Sequence, residues 1–140
     1  MMPVVLDTSV LVAAARSRTG ASQRLLRLLP DTRFQPVISV PLFVEYSAVL
    51  TRPEHLLGRT VEQAEAFLNF LLSAAMLHEI YYLWRPMLSD PDDDMILELA
   101  VAAGCRYIIT HSVADFRGSE RFGIEVLTPG LFLRRLGETS

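Results

Sequence analysis

Residues 4–15 read VVLDTSVLVAAA, and this stretch decides the fold that we predict for the chain. The β-branched apolar run Val4–Leu6 predicts a short strand, which ends at the polar residues Asp7, Thr8 and Ser9. The alanine-rich residues that follow favour a helix. The stretch therefore predicts a strand, a polar turn and a helix.

The same alternation of strand and helix continues to the end of the chain. Further strands are predicted at Gln35–Ser39, His78–Tyr82, Arg106–Thr110 and Ile124–Leu127. Helices are predicted at Ala21–Leu29, from Pro41 through Glu45 to about Leu50, at Val61–Ala75 with Thr60 as its N-cap, at Met95–Ala103 before Gly104, and from about Pro129. Strands that alternate with helices imply crossover connections and a parallel sheet covered on both faces. We therefore predict a three-layer α/β/α fold around a central parallel five-stranded sheet.

Composition indicates one ordered globular domain over residues 1–140. Hydrophobic residues make up 51% of the chain and charged residues 21%, and no repeat or flexible linker interrupts it. The net charge is −3, and all 13 basic residues are arginine. An acidic total argues against binding nucleic acid by bulk attraction, so any such chemistry has to come from a local site.

The cysteine count and the apolar segments indicate the cellular location of the protein. Cys105 is the only cysteine, so an intramolecular disulfide is excluded and a reducing compartment is favoured. Asp7 interrupts the first apolar run before it resembles a signal peptide, and the stretch Ala66–His78, which lacks charged side chains, is too short to span a bilayer. We expect a soluble cytoplasmic protein without membrane attachment.

Carboxylates follow the predicted strands at one edge of the sheet. Asp7 directly follows the first strand, Glu45 lies in the helix after the second, the acids Asp90, Asp92, Asp93 and Asp94 of SDPDDD open the helix before the fourth, and Asp115 follows the fourth. Open parallel sheets bind ligands beyond the carboxyl ends of their strands. Acids that converge there repel one another, and a hard divalent cation with oxygen ligands relieves that repulsion.

Each acid also has a purely structural interpretation. Asp7 is a common type of helix N-cap, acids at a helix N-terminus are stabilised by the helix dipole, and Asp115 suits an ordinary turn. Glu45 is harder to explain in this way, because it lies inside the apolar segment PLFVEYSAVL and glutamate is rarely buried unpaired. His111 is better explained as an exposed or packed histidine than as a catalytic one. The motifs of zinc proteases, P-loop NTPases and dinucleotide-binding proteins are absent from the sequence.

Three segments in this order and at these separations resemble the PIN domain family. They are VVLDTSVLVAA, SVPLFVEYSAVLTRP and SDPDDDMILELAVAAGCRYIITHSVADF, and the resemblance extends from about Pro3 to Pro129. It is strongest toward prokaryotic members classed as toxins of toxin–antitoxin systems, the VapC-like ribonucleases. The resemblance implies a PIN-like fold and a ribonuclease that depends on Mg²⁺ or Mn²⁺.

The resemblance also implies roles for individual residues. Asp7 matches the first-strand acid, Glu45 the acid of the second helix, and Asp93 the acid that opens the helix ending in AAG. Many members carry Asp or Asn two residues after the threonine of strand four, where this chain has Ser112. The expected catalytic and metal-binding residues are therefore Asp7, Glu45, Asp93 and, as the fourth acid, Asp115; Asp90, Asp94 and Ser112 are further candidate ligands.

Three partners and two rival functions follow from these expectations. An RNA substrate, a cognate antitoxin protein and a homodimer formed through the apolar helix Val61–Ala75 are the expected partners. The first rival is a PIN-fold binding module with a degenerate site that acts through protein or RNA contacts, and Ser112 favours it. The second is a receiver-like phosphoacceptor domain, which requires a late lysine that this chain does not contain.

Overall fold

A computed structural model describes residues 1–79, 88 and 90–138. The strands are β1 (Met2–Leu6), β2 (Phe34–Ile38), β3 (Met76–Leu77), β4 (Tyr107–Ile109) and β5 (Glu125–Leu127). The α-helices are α1 (Thr8–Arg16), α2 (Ala21–Arg27), α3 (Val40–Leu50), α4 (Pro53–Leu56), α5 (Val61–Ser73), α6 (Pro91–Ala102) and α7 (Pro129–Arg135), and two 3-10 helices span Val113–Phe116 and Ser119–Phe122. Among the helices of these ranges, none is both long and apolar enough to cross a membrane.

The predicted parallel five-stranded sheet is confirmed, and its strand order is β3-β2-β1-β4-β5. The chain builds outward from β1 through β2 to β3, and then returns to place β4 on the other side of β1. In the pairing of β1 with β4, Leu6 lies beside Ile109. The strand order therefore reverses between β1 and β4, and the crevice beyond their carboxyl ends is where sheets of this kind bind ligands.

Central strands buried on both faces explain why the sequence shows continuous apolar runs rather than alternation. Val4 and Val5 of β1 are fully buried, as are Ile108 and Ile109 of β4. On one face of the sheet, the ring of Phe132 from α7 packs edge-on against two rings. Its centroid lies 5.3 Å from that of Phe34 and 5.7 Å from that of Tyr107. Burial of these large side chains holds the layers together.

Local capping chemistry sets the ends of two helices. The predicted N-cap Thr60 of α5 is confirmed, because its hydroxyl accepts a hydrogen bond from the Gln63 amide while the Gln63 side chain accepts one from the Thr60 amide. Helix α6 begins at Pro91, four residues before the predicted start. Asp90 caps this earlier turn by accepting a hydrogen bond from the Asp92 amide at 2.9 Å. The first turn of α6 is therefore built from the acidic segment itself.

The third strand lies earlier than predicted. We expected it at His78–Tyr82, whereas β3 consists of Met76 and Leu77, and residues 80–87 lie outside the described residues. Helix α5 ends at Ser73 rather than at the expected Ala75, so the chain reaches the sheet edge sooner. The His78 amide still donates a hydrogen bond to the Ile38 carbonyl, 3.0 Å away.

Tyr46 joins helix α3 to the end of strand β1. Its side chain is buried, and its hydroxyl donates a hydrogen bond to the Leu6 carbonyl oxygen, one residue before Asp7. Glu45 is the neighbour of Tyr46 on α3. This contact therefore fixes the helix that carries Glu45 relative to the strand end that carries Asp7.

Replacing Tyr46 with Phe tests this contact. The variant keeps the buried ring and loses only the hydrogen bond, so we expect the free energy of unfolding to fall by about 1 kcal/mol. This corresponds to a melting temperature about 3 °C lower for a chain of this length. Thermal unfolding in EDTA measures the change, and an unchanged melting temperature would show that the hydroxyl does not hold α3 in place.

Candidate functional site

The Asp7 carboxylate is held between the ends of β1 and β4. Asp7 occupies the N-cap position of α1, yet its side chain makes no capping hydrogen bond. Its Oδ2 atom instead accepts hydrogen bonds from the Thr110 hydroxyl at 2.7 Å and the Ser9 hydroxyl at 2.8 Å. No described residue donates to Oδ1. The capping interpretation of Asp7 is therefore wrong for its side chain, which faces the crevice between the two strands.

Backbone amides fix the direction of both hydroxyls. The Ser112 amide donates to the Thr110 hydroxyl oxygen at 2.9 Å, and the His111 amide donates to the Ser9 hydroxyl oxygen at 3.1 Å. Because these amides fill acceptor positions, each hydroxyl is free to donate its own hydrogen to Asp7. Thr110 itself is fully buried. The carboxylate is thus oriented by a network built from the two central strand ends.

Asp93 lies in the first turn of α6 and is half-buried. Burial is the largest cause that raises its pKa, from 3.8 to about 7, and the negative charges of nearby acids add to the effect. In decreasing order of effect, these acids are Asp7, Asp90, Asp115 and Asp92. The fold thus brings acids from β1, α6 and the 3-10 helix Val113–Phe116 close enough to repel one another.

The other acids of SDPDDD are explained by local structure or by exposure to solvent. Asp90 caps α6, Asp92 is exposed, and Asp94 accepts a hydrogen bond from the Leu88 amide at 2.8 Å. Asp94 therefore holds the chain that enters the helix. These contacts make Asp93 a better candidate than Asp94 for the site residue of this helix.

Glu45 and Asp115 approach the same crevice from α3 and from the 3-10 helix. Glu45 is half-buried, and burial raises its pKa more than any other cause. The charges of Asp92, Asp90 and Asp7 raise it further, whereas Arg52 lowers it. Asp115 is exposed, and its charge acts on Asp93. Ser112 participates through its backbone, which supports Thr110.

The chemistry of these donors suits a hard divalent cation, because all of them are carboxylates and their repulsion is relieved by positive charge. Asp7, Glu45, Asp93 and Asp115 are the side chains that would hold it. In the part of the chain that the structure describes, however, no three side chains of the His, Cys, Asp and Glu types are gathered closely enough to hold a metal ion. The acids surround the crevice without forming a closed ligand shell.

Sequence reasoning missed the side chains that support this site. It did not find the hydrogen bonds of Ser9 and Thr110 to Asp7, nor the link through Tyr46. His111 is exposed as expected, and its Nε2 atom lies 2.7 Å from the Ser22 hydroxyl on α2. Thr110 was detectable only as a polar residue that follows an apolar strand, because the sequence does not show that β4 pairs with β1.

The raised pKa of Asp93 predicts how the stability of the metal-free protein depends on pH. Between pH 4 and 7 the unfolded chain loses the Asp93 proton before the folded chain does, so the contribution of this carboxyl to stability falls as pH rises. Asp93→Asn removes the repulsion. After allowance for solvent screening we expect a gain of about 1 kcal/mol at pH 8, or about 3 °C in melting temperature, which disappears toward pH 4.

Thermal unfolding in EDTA across this pH range, with wild type beside the variant, measures the difference. Glu65→Gln removes one negative charge from an exposed position on α5 and is the matched control, which should show no such pH-dependent gain. An Asp93→Asn protein that melts below wild type at pH 8 would show that the carboxylate stabilises the helix instead.

Comparisons with known proteins agree with this fold. The crystal structure of PAE2754 from Pyrobaculum aerophilum is similar over 98% of this chain and 91% of that chain, with a TM-score of 0.56 and 17% sequence identity. No curated protein matches the sequence. The sequence profile described as the PIN domain matches residues 3–114, which include Asp7, Glu45 and Asp93. The chain therefore belongs to the PIN domain family, whose members are usually nucleases and generally bind divalent metals.

Proposed function

We propose that this protein is an endoribonuclease that depends on Mg²⁺ or Mn²⁺ and hydrolyses RNA phosphodiester bonds. One observation carries the proposal. The Asp7 carboxylate is fixed by Ser9 and Thr110 in the crevice between β1 and β4, within the electrostatic reach of the half-buried Asp93. Because the chain belongs to a family whose members are usually nucleases, a nuclease active site is the most direct interpretation of this acidic crevice.

The residues of the crevice have distinct tasks in this reaction. A divalent cation bound there supplies polarisation of the phosphate and a lower pKa for an attacking water. Ser9 and Thr110 hold Oδ2 of Asp7 and so orient its other oxygen as a ligand. In the metal-free protein the pKa of Asp93 is raised to about 7, and a bound cation would favour its ionised form as a ligand. Glu45 and Asp115 complete the carboxylate set.

Single-stranded or looped RNA is the proposed substrate, because an unstacked strand can place a phosphate in a recessed crevice. The role as toxin of a toxin–antitoxin pair, with a cognate antitoxin and a cytoplasmic location, rests on the sequence resemblance. A homodimer is proposed through α5, which leaves the apolar side chains Val61 and Phe70 exposed.

A binding module with a degenerate site is the second candidate function. Ser112 stands where many family members carry Asp or Asn, and no three donors of the described residues lie within reach of one metal ion. Such a module would act through protein or RNA contacts without cleavage. Its response to Mn²⁺ separates it from the enzyme.

Asp7→Asn tests the proposed activity. We expect wild type to cleave mixed cellular RNA with Mn²⁺ and not with EDTA, and the variant to lose at least about 100-fold in rate, since an amide oxygen is a weaker ligand than a carboxylate. Asp93→Asn should be comparably damaging. Asp92→Asn, which removes an exposed acid from the same helix turn, is the control and should retain most of the activity.

Melting temperatures with and without Mn²⁺ provide a readout that is independent of cleavage. A ligand at a hundredfold excess over its dissociation constant stabilises a protein by about 2.7 kcal/mol. Wild type should show this rise and Asp7→Asn should lose most of it. Cleavage by Asp7→Asn at the wild-type rate would refute the proposal, and RNA binding without any Mn²⁺ response or cleavage would favour the binding module.

Thr110→Val tests the orienting network separately from the ligands. Valine keeps the shape of threonine and removes the hydroxyl that donates to Asp7, so we expect the Mn²⁺-dependent rate to fall about 10–100-fold. Thr110→Ser retains a hydroxyl and should recover most of the rate. Equal rates for the valine and serine variants would show that the hydroxyl does not position Asp7.

A further inference from the structure

A basic groove runs between α2 and α7, outside the acidic crevice. It is a cavity of about 310 Å³, and it is lined by Arg24, Arg27 and Arg134 together with Leu28, Leu133, Gly130 and Glu138. Arg24 and Arg27 are three residues apart and so lie on one face of α2. Gly130 and Arg134 are four residues apart on the facing side of α7, and the absence of a side chain at Gly130 leaves the groove open there. Two helix faces thus present three guanidinium groups to one cavity.

The charge of this groove is not neutralised by the protein. Arg24 is half-buried, and its Nε atom is buried without a hydrogen-bond partner within residues 1–79, 88 and 90–138. Arg27 and Arg134 are exposed and form no ion pair with any described residue. Glu138 is paired with Arg33 at 2.8 Å. The two exposed guanidinium groups, those of Arg27 and Arg134, are therefore available to the acceptor oxygens of an anionic ligand.

Helix α2, which carries two of these arginines, begins beside the acidic crevice. Ser22, in the first turn of α2, lies 2.7 Å from His111, whose amide donates a hydrogen bond to Ser9 next to Asp7. At the helical rise, Arg24 and Arg27 lie about 3 Å and about 8 Å beyond Ser22 along the axis of α2. The arginines of α2 therefore lie within about 8 Å, along the helix axis, of the contact that borders the acidic crevice.

We propose that the groove between α2 and α7 binds the phosphate backbone of single-stranded RNA next to the phosphodiester that occupies the acidic crevice. This inference rests on the proposed ribonuclease function. Guanidinium groups match phosphate oxygens in geometry and charge. The groove concentrates positive charge on a chain whose net charge is −3. An acidic protein segment has similar charge, but the start of α2 beside the acidic crevice favours the substrate strand.

Fluorescence anisotropy with a labelled single-stranded RNA 12-mer in EDTA tests the groove without cleavage. Arg24→Gln combined with Arg27→Gln should weaken binding at least tenfold. It should also reduce the slope of log affinity against log salt by about 1.4, because two phosphate contacts are lost. Arg27→Gln combined with Arg134→Gln changes only exposed positions and should do the same with an unchanged melting temperature. The matched control, Arg106→Gln combined with Arg121→Gln, removes the same charge from exposed positions on other elements.

The outcomes separate this proposal from the proposed activity. Equal RNA affinity for the groove variants and the control variant would overturn the groove proposal, even if wild type cleaves RNA with Mn²⁺. Loss of affinity in the groove variants alone would support it, even if no cleavage is found. A groove variant that loses affinity for a labelled polyglutamate peptide but not for RNA would identify a site for acidic protein and also overturn it.

Discussion

The hydrogen bond from the Thr110 hydroxyl to the Asp7 carboxylate joins the two strands on which the rest of the site depends. It lies where the strand order reverses, and it connects residues that are 103 positions apart in the chain. The pairing of Leu6 with Ile109 brings both side chains to the same edge. The strand topology around this contact accounts for the crevice. It also accounts for the hydroxyls that orient Asp7 and for the approach of the surrounding acids.

Repulsion among the acids is the constraint that this arrangement imposes. Burial raises the pKa of Asp93, and the negative charges of acids from separate elements raise it further. A protein selected only for stability would avoid such an arrangement, whereas a site for a divalent cation requires it. The hydroxyl groups that donate hydrogen bonds to Asp7 and the side chain that caps α6 hold these acids in place.

The distribution of charge complements this acidic crevice. Total charge is negative, yet the arginines of α2 and α7 gather on two facing surfaces beside it. A polyanion approaching the protein therefore meets repulsion at the carboxylates and attraction in the neighbouring groove. In the proposed nuclease the two features would act together, because a bound cation would offset the negative charge of the crevice and the groove would hold the strand.

The sequence by itself determined the alternation of strands and helices, the parallel sheet and the acids that follow strand ends. These features are local, because hydrophobic periodicity and polar residues after a strand can be detected within a few residues. The same reasoning could have identified Asp90 as the N-cap, and with it the early start of α6. Only the tertiary structure decided that β4 lies beside β1, that Thr110 and Ser9 orient Asp7, and that Asp93 is half-buried within the electrostatic influence of Asp7 and Asp115. Those outcomes depend on strand order and on contacts across most of the chain length, and local sequence patterns carry no information about either.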